Sequence, residues 1–197
     1  MLQQQLGLES IGAMDISTRG RDLAVLFGDG AGAVILQATD KDRGVIGSSL
    51  HSQGEHVKEL WAELPSALVV ERWTDEQIAA GSHFPHMNGQ TVFKHTTRRF
   101  CEVIEEVLSA GQVTKDDIAL VTPHQANQRI IDMVTRRMKL PPEVIYSNIA
   151  RYGNTTAACM PIALAEAIRE GKLQRGELLI TVALGSGFTW GANLIRW

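Results

Sequence analysis

Two short polar motifs stand thirty positions apart in the chain, Pro123-His124-Gln125-Ala126-Asn127 and Tyr152-Gly153-Asn154-Thr155-Thr156-Ala157-Ala158. Each follows a strand-like apolar run and precedes a helix-like pattern. A residue at such a junction projects beyond the strand ends of an α/β sheet. His124 brings an imidazole and Asn154 a carboxamide, and two such donors suit a carbonyl oxygen that gains negative charge during a reaction. A glycine turn, Gly185-Ser186-Gly187, closes a third strand. Three junctions on one edge of a parallel sheet converge on one place. Each residue also has a plainer account: His124 as a capping or core histidine, Asn154 as a turn residue after Gly153.

A convincing nucleophile is missing. Cys101 lies between Phe100 and Val103 in an amphipathic pattern and reads as a small hydrophobe. Cys159 falls near a helix start, where a thiol pKa can drop. Its neighbours Ala157, Ala158 and Met160 read instead as tight helix packing. His83 and His86 have no cysteine or acid pair to complete a metal shell, so no metal site is expected. Gly28-x-Gly30-x-x-Ala33 matches a dinucleotide fingerprint in its letters. That fingerprint needs a following helix, whereas Val34-Ile35-Leu36 favours a strand, and close packing of a bent strand is the better account.

The elements that must carry these residues follow from periodicity. Leu23 to Leu26, Ala33 to Leu36 and Gly44 to Leu50 suggest an antiparallel meander after a polar lead-in over 1–22. Residues 51–86 hold four of the histidines without a clean period, and we expect an elaborated loop lining a pocket or capping a face. A long helix should start after Asn88 and stop at Gly111. Ile118 to Thr122 predicts a strand. Ala126 to Met138 predicts a helix with Ile130, Ile131, Val134 and Met138 on one face. Val144 to Ile149 predicts a strand, Ala157 to Glu170 a helix, Leu178 to Leu184 a doubly buried strand and Phe188 to Trp197 a last strand. The result is a βαβαβ core with right-handed crossovers.

Composition sets outer limits. The 197 residues are enough for a substantial core. A net charge of -3 argues against nucleic acid as a partner. No apolar stretch is long enough to span a bilayer, and Met1 to Gln5 lacks the marks of a signal peptide. Two unpaired cysteines fit a reducing compartment. We therefore expect a cytoplasmic protein without a membrane partner.

The motifs at 123–127 and 153–158, together with Gly187-Phe188-Thr189-Trp190-Gly191, closely resemble those of the β-ketoacyl-acyl-carrier-protein synthase III family, within the thiolase-like superfamily. Leu26-Phe27-Gly28-Asp29-Gly30-Ala31-Gly32-Ala33 and Met87-Asn88-Gly89-x-x-Val92-Phe93-Lys94 match it too. The resemblance implies an α/β thiolase-like fold in which this chain supplies the C-terminal half, a layered βαβαβ sheet with helices, plus the last strand region of the N-terminal half. It implies a remnant of the N-terminal half over 1–50, a pocket region over 51–86 and a C-terminal domain over 87–197. It further implies that the family's nucleophilic cysteine matches neither Cys101 nor Cys159, so that the chain is a truncation, a fragment or one part of a split enzyme, inactive alone.

In that family an acyl group passes from acyl-CoA to a cysteine, and malonyl-acyl carrier protein then loses CO2 to give the attacking enolate. By resemblance His124 and Asn154 hold the thioester oxygen, and the Gly187 amide helps hold the oxyanion of acyl transfer. Asn127 supports the site or the pantetheine arm, and Phe93 lines the acyl pocket or packs in the core. Lys94, Arg129, Arg136 and Arg137 dock acyl carrier protein by the same resemblance, the plainer account being a solvated basic face. No cofactor is implied, and the full-length enzyme is expected as a homodimer. The alternatives are a non-catalytic partner subunit of a heteromeric synthase and a thiolase-fold acyltransferase with another acceptor.

Overall fold

The structure, a computed structural model, describes residues 25–64 and 73–197. The lead-in expected over 1–22, and the start of the first expected strand, lie outside the described residues.

A four-stranded mixed sheet organises the fold. Strand β1 (Gly44–Ser52) lies at one edge. A two-residue pair, β2 (Leu60–Trp61) and β3 (His86–Met87), stands apart from the main sheet. Strand β4 (Ile118–Pro123) runs parallel to β5 (Leu178–Gly185), which pairs antiparallel with β6 (Thr189–Arg196). Strand β6 in turn pairs antiparallel with β1, so the order is β1-β6-β5-β4. The nearly continuous apolar run of β5, broken by Thr181, is explained by burial on both faces. Ile180 and Val182 meet Phe100, Val103, Val107 and Val134 on one side, and Leu179 meets Ala163, Ala167 and Tyr146 on the other.

The helices supply those layers. Short helix α1 (Asp75–Ala80) starts at a Thr74 capping box and lies within the loop region expected over 51–86. Helix α2 (Gly89–Ala110) starts at Asn88, whose side chain accepts from the Thr91 amide, and ends at Gly111 as expected. Helix α3 (Gln128–Met138) buries the four residues expected, Ile130, Ile131, Val134 and Met138. It begins two residues later than the periodicity predicts because Asn127 caps it, accepting from the Arg129 amide. A single turn, α4 (Ile149–Tyr152), leads to Gly153, and α5 (Cys159–Arg169) covers the second face.

Three expectations fail, each because a strand requires a hydrogen-bonded neighbour. The Ala33–Leu36 run forms no strand: residues 28–39 are irregular, and Ile35 is 86% exposed. The glycine run does pack closely, since a Cβ on Gly28 would stand 1.9 Å from the Tyr152 carbonyl oxygen. The antiparallel meander is absent among the described residues, because β1 pairs with β6 and not with its own upstream segment. Nor is Val144–Ile149 a strand. One bridge joins Ile145 to Val121, and the Tyr146 amide donates to the Val121 carbonyl. Beyond it the buried Gln125 carboxamide takes the place of a ladder, donating to the Pro123 and Tyr146 carbonyls and accepting from the Ser147 hydroxyl and the Asn148 amide. The expected βαβαβ core therefore contracts to one parallel pair, β4 and β5, with the 145–148 segment lying alongside.

Candidate active site

His124 directly follows β4. Its amide donates to the Val182 carbonyl at 2.8 Å, which extends the parallel ladder by one step and sets the imidazole just past the strand end. The ring's Nδ1 lies 2.9 Å from Cys159 Sγ, and the Gln125 amide donates to the same sulfur at 3.2 Å. Burial pushes the His124 pKa down to about 4. The Cys159 thiol is pushed up by burial, with the Gln125 amide pulling the other way. Desolvation disfavours the charged form of either group, so the pair is neutral near pH 7 and is not a thiolate–imidazolium dyad. Cys159 is also only 2% exposed.

Asn154 is held from three sides. Its amide donates to the Leu26 carbonyl, its carbonyl accepts from Gly28, and its side-chain Oδ1 accepts from the Thr156 amide at 2.9 Å. Nδ2 is left without a partner among the described residues. Two backbone features aim this residue. Gly153 adopts φ +66, and Thr156, a β-branched residue, adopts φ +52, a left-handed conformation that costs energy and clusters at functional sites. Upstream, the Glu166 carboxylate gathers Asn148 Nδ2 at 2.8 Å, Arg151 Nη2 at 2.7 Å and the Tyr152 hydroxyl at 2.5 Å, fixing the turn that delivers Gly153 and Asn154. Burial pushes that carboxyl up, but the hydrogen bonds from Asn148 and Tyr152, with the Arg151 charge behind them, outweigh it and keep the carboxyl below its usual range.

His124 and Asn154 line one cavity of about 1030 Å3. Asn127, Arg129 and Phe93 line it as well. Leu26 and Phe27, Trp61, Pro85 and Met87 contribute walls. Gly187 sits in the turn between β5 and β6, beside the lining residues Gly185 and Ser186 but outside the wall itself. Lys94 is exposed on α2 next to Phe93. Arg136 and Arg137 are exposed in the last turn of α3, away from the wall. Sequence reasoning missed the roles of Cys159, Gln125 and Thr156. Spacing places all three near the junctions, but nothing in it reveals which atoms they reach.

The family model described as 3-Oxoacyl-[acyl-carrier-protein (ACP)] synthase III C terminal matches residues 108–197, and that for 3-Oxoacyl-[acyl-carrier-protein (ACP)] synthase III matches residues 10–54. Among curated relatives, the beta-ketoacyl-[acyl-carrier-protein] synthase III of Roseiflexus sp. (strain RS-1) is 40% identical over 182 residues, covering 92% of this chain and 55% of the relative. That of Microcystis aeruginosa is 42% identical, covering 90% of this chain and 53% of the relative. The crystal structure of 3-oxoacyl-[acyl-carrier-protein] synthase III from Aquifex aeolicus VF5 superposes with a TM-score of 0.80 at 38% identity, over 90% of this chain and 52% of that one. The chain spans about half the length of the curated relatives it matches.

Proposed function

This chain belongs to the 3-oxoacyl-[acyl-carrier-protein] synthase III family and has its thiolase-like α/β fold; from that membership we propose that it supplies the enolate-stabilising part of a condensing acyltransferase. The reaction is the decarboxylative Claisen condensation of an acyl thioester with malonyl-acyl carrier protein in fatty acid synthesis. The bond between the malonyl α-carbon and its carboxylate breaks, and CO2 leaves. The electron pair passes into the α-carbon–carbonyl unit, so negative charge builds on the thioester oxygen. His124 Nε2–H and Asn154 Nδ2–H donate to that oxygen. The α-carbon then attacks an acyl thioester on a cysteine, displacing the thiolate. That cysteine is neither Cys101 nor Cys159 in this reading, and comes with the N-terminal half or a partner subunit.

The Gly187 amide, with that cysteine's own amide, holds the oxyanion of acyl transfer. Asn127 and Phe93 serve the substrate arm and the acyl group, and the exposed Lys94, Arg129, Arg136 and Arg137 meet an acidic carrier protein. The substrates are acyl-CoA and malonyl-acyl carrier protein. The bookkeeping of bonds calls for no cofactor. The setting is the cytoplasm.

The observation that supports this reading is the meeting of two neutral N–H donors, from separate junctions, at one cavity. Losing one such donor commonly costs about 100- to 1,000-fold in rate. In the enzyme assembled with its cysteine-bearing part, His124→Ala and Asn154→Ala are expected to lower CO2 release from malonyl thioester by that factor while cysteine acylation stays measurable. Undiminished CO2 release, or loss of both steps together, would refute the assignment.

A further inference from the structure

We infer that Cys159 is a positioning residue, whose thiol donates to His124 Nδ1 and so fixes the ring proton on Nε2, the nitrogen left for the cavity. Two neutral hydrogen placements fit the 2.9 Å contact. In one, S–H donates to Nδ1. In the other, Nδ1–H donates to sulfur and Nε2 turns a bare lone pair to the cavity. The sulfur already accepts from the Gln125 amide. A second N–H would ask more of a weak acceptor and strand the thiol proton in a site that is 2% exposed. Donation from S–H gives every hydrogen an acceptor. Cys101 offers a contrast within the same fold: its thiol donates to the Thr97 carbonyl one helical turn back, the ordinary arrangement in a helix. Cys159, at the first position of α5, makes its contacts outside its own helix, to the loop that carries His124.

The tautomer of a histidine is set by the partner of its other nitrogen. A neutral imidazole serves as an N–H donor to the cavity only with the proton on Nε2. The lowered His124 pKa and the raised Cys159 pKa agree with a neutral pair. The consequence for catalysis rests on the donor role proposed above for His124. The hold on the ring does not.

Nitrogen-15 spectra of histidine-labelled protein test the assignment. The chain has six histidines, and the His124 signals are those lost in His124→Gln. Wild type and Cys159→Ser are expected to show a single Nε2–H form at neutral pH. Cys159→Ala is expected to show loss of that single form, with averaged signals from both tautomers, while the other five histidines keep their shifts and report an intact fold. A wild-type ring protonated on Nδ1 or on both nitrogens at neutral pH, or a Cys159→Ala ring with its tautomer unchanged, would overturn the inference. CO2 release is followed in parallel. A changed tautomer with undiminished CO2 release upholds the role of Cys159 and refutes instead the donor role of His124.

Discussion

The His124 ring stays neutral across the neutral range because it is largely shielded from water without an anionic partner. That same burial makes the folded state sensitive to acid. With a folded pKa of about 4 against an ordinary value of about 6.5, the unfolded chain binds the extra proton between those two values. Stability therefore rises with pH across this window. The full contribution is present above about pH 6.5, and it is lost progressively as pH falls toward 4, by on the order of 3 kcal/mol. Urea unfolding at pH 7 and pH 4.5 should show a smaller acid loss in His124→Gln than in wild type, because the buried carboxylates titrate in both and cancel. Equal losses would mean that the ring is not buried neutral. The two proposed donors were visible in the sequence as candidates, since a polar residue at a strand-to-helix junction stands out as a break in pattern. Their partners were not. Cys159 reads as one more small residue in an alanine-rich turn, and only coordinates bring its sulfur to Nδ1.

Elements whose burial is one-sided or complete along their own length could be read directly. Helices α2 and α3 carry their apolar stripes, and β5 is apolar apart from Thr181 as far as its terminal Gly185. The segments at 33–36 and 144–149 also read as strands, yet neither becomes one, because a strand is decided by its neighbour and not by its own residues alone. At 145–148 a side chain stands in for that neighbour. Gln125 is fully buried and satisfies the Pro123 and Tyr146 carbonyls, the Asn148 amide and the Ser147 hydroxyl at once. A fully satisfied buried network of this kind specifies geometry, whereas a broken one leaves stranded polar groups. Gln125→Leu keeps the approximate volume and removes all four bonds. It should cost at least about 2 kcal/mol, given about 1–3 kcal/mol for each group left unsatisfied. It should also speed hydrogen exchange at the Asn148 amide relative to β5. A variant as stable as wild type, with Asn148 still protected, would show that the segment is held by packing alone. Because Asn148 also binds Glu166, loosening at this point reaches the turn that presents Asn154.

Across the whole molecule, the convergence of two junctions on one site could be anticipated from the alternation of strands and helices. The walls of that site could not. They come from residues far apart in sequence, Leu26 and Phe27 beside Asn154, and Trp61 and Met87 on the short β2–β3 pair. Exposed basic residues on α2 and α3 form a charge pattern that the net charge of -3 conceals. Arg129 is exposed and lines the cavity. Arg136 and Arg137 continue along the exposed side of α3, and Lys94 stands on α2. None of the four forms an ion pair among the described residues, so an incoming acidic surface would displace no internal partner. Such exposed charges act chiefly on encounter and orientation, over a distance of about 8 Å at physiological salt. On the carrier-protein role proposed above, Arg129→Glu in the assembled enzyme is expected to raise the KM for malonyl-acyl carrier protein several-fold while leaving kcat and the KM for acyl-CoA nearly unchanged. The difference from wild type should shrink as salt is added. An Arg129→Glu enzyme with an unaltered carrier KM at low salt would remove α3 from the docking surface. A rise that salt does not diminish would identify Arg129 as a contact inside the cavity instead of a charge at its rim.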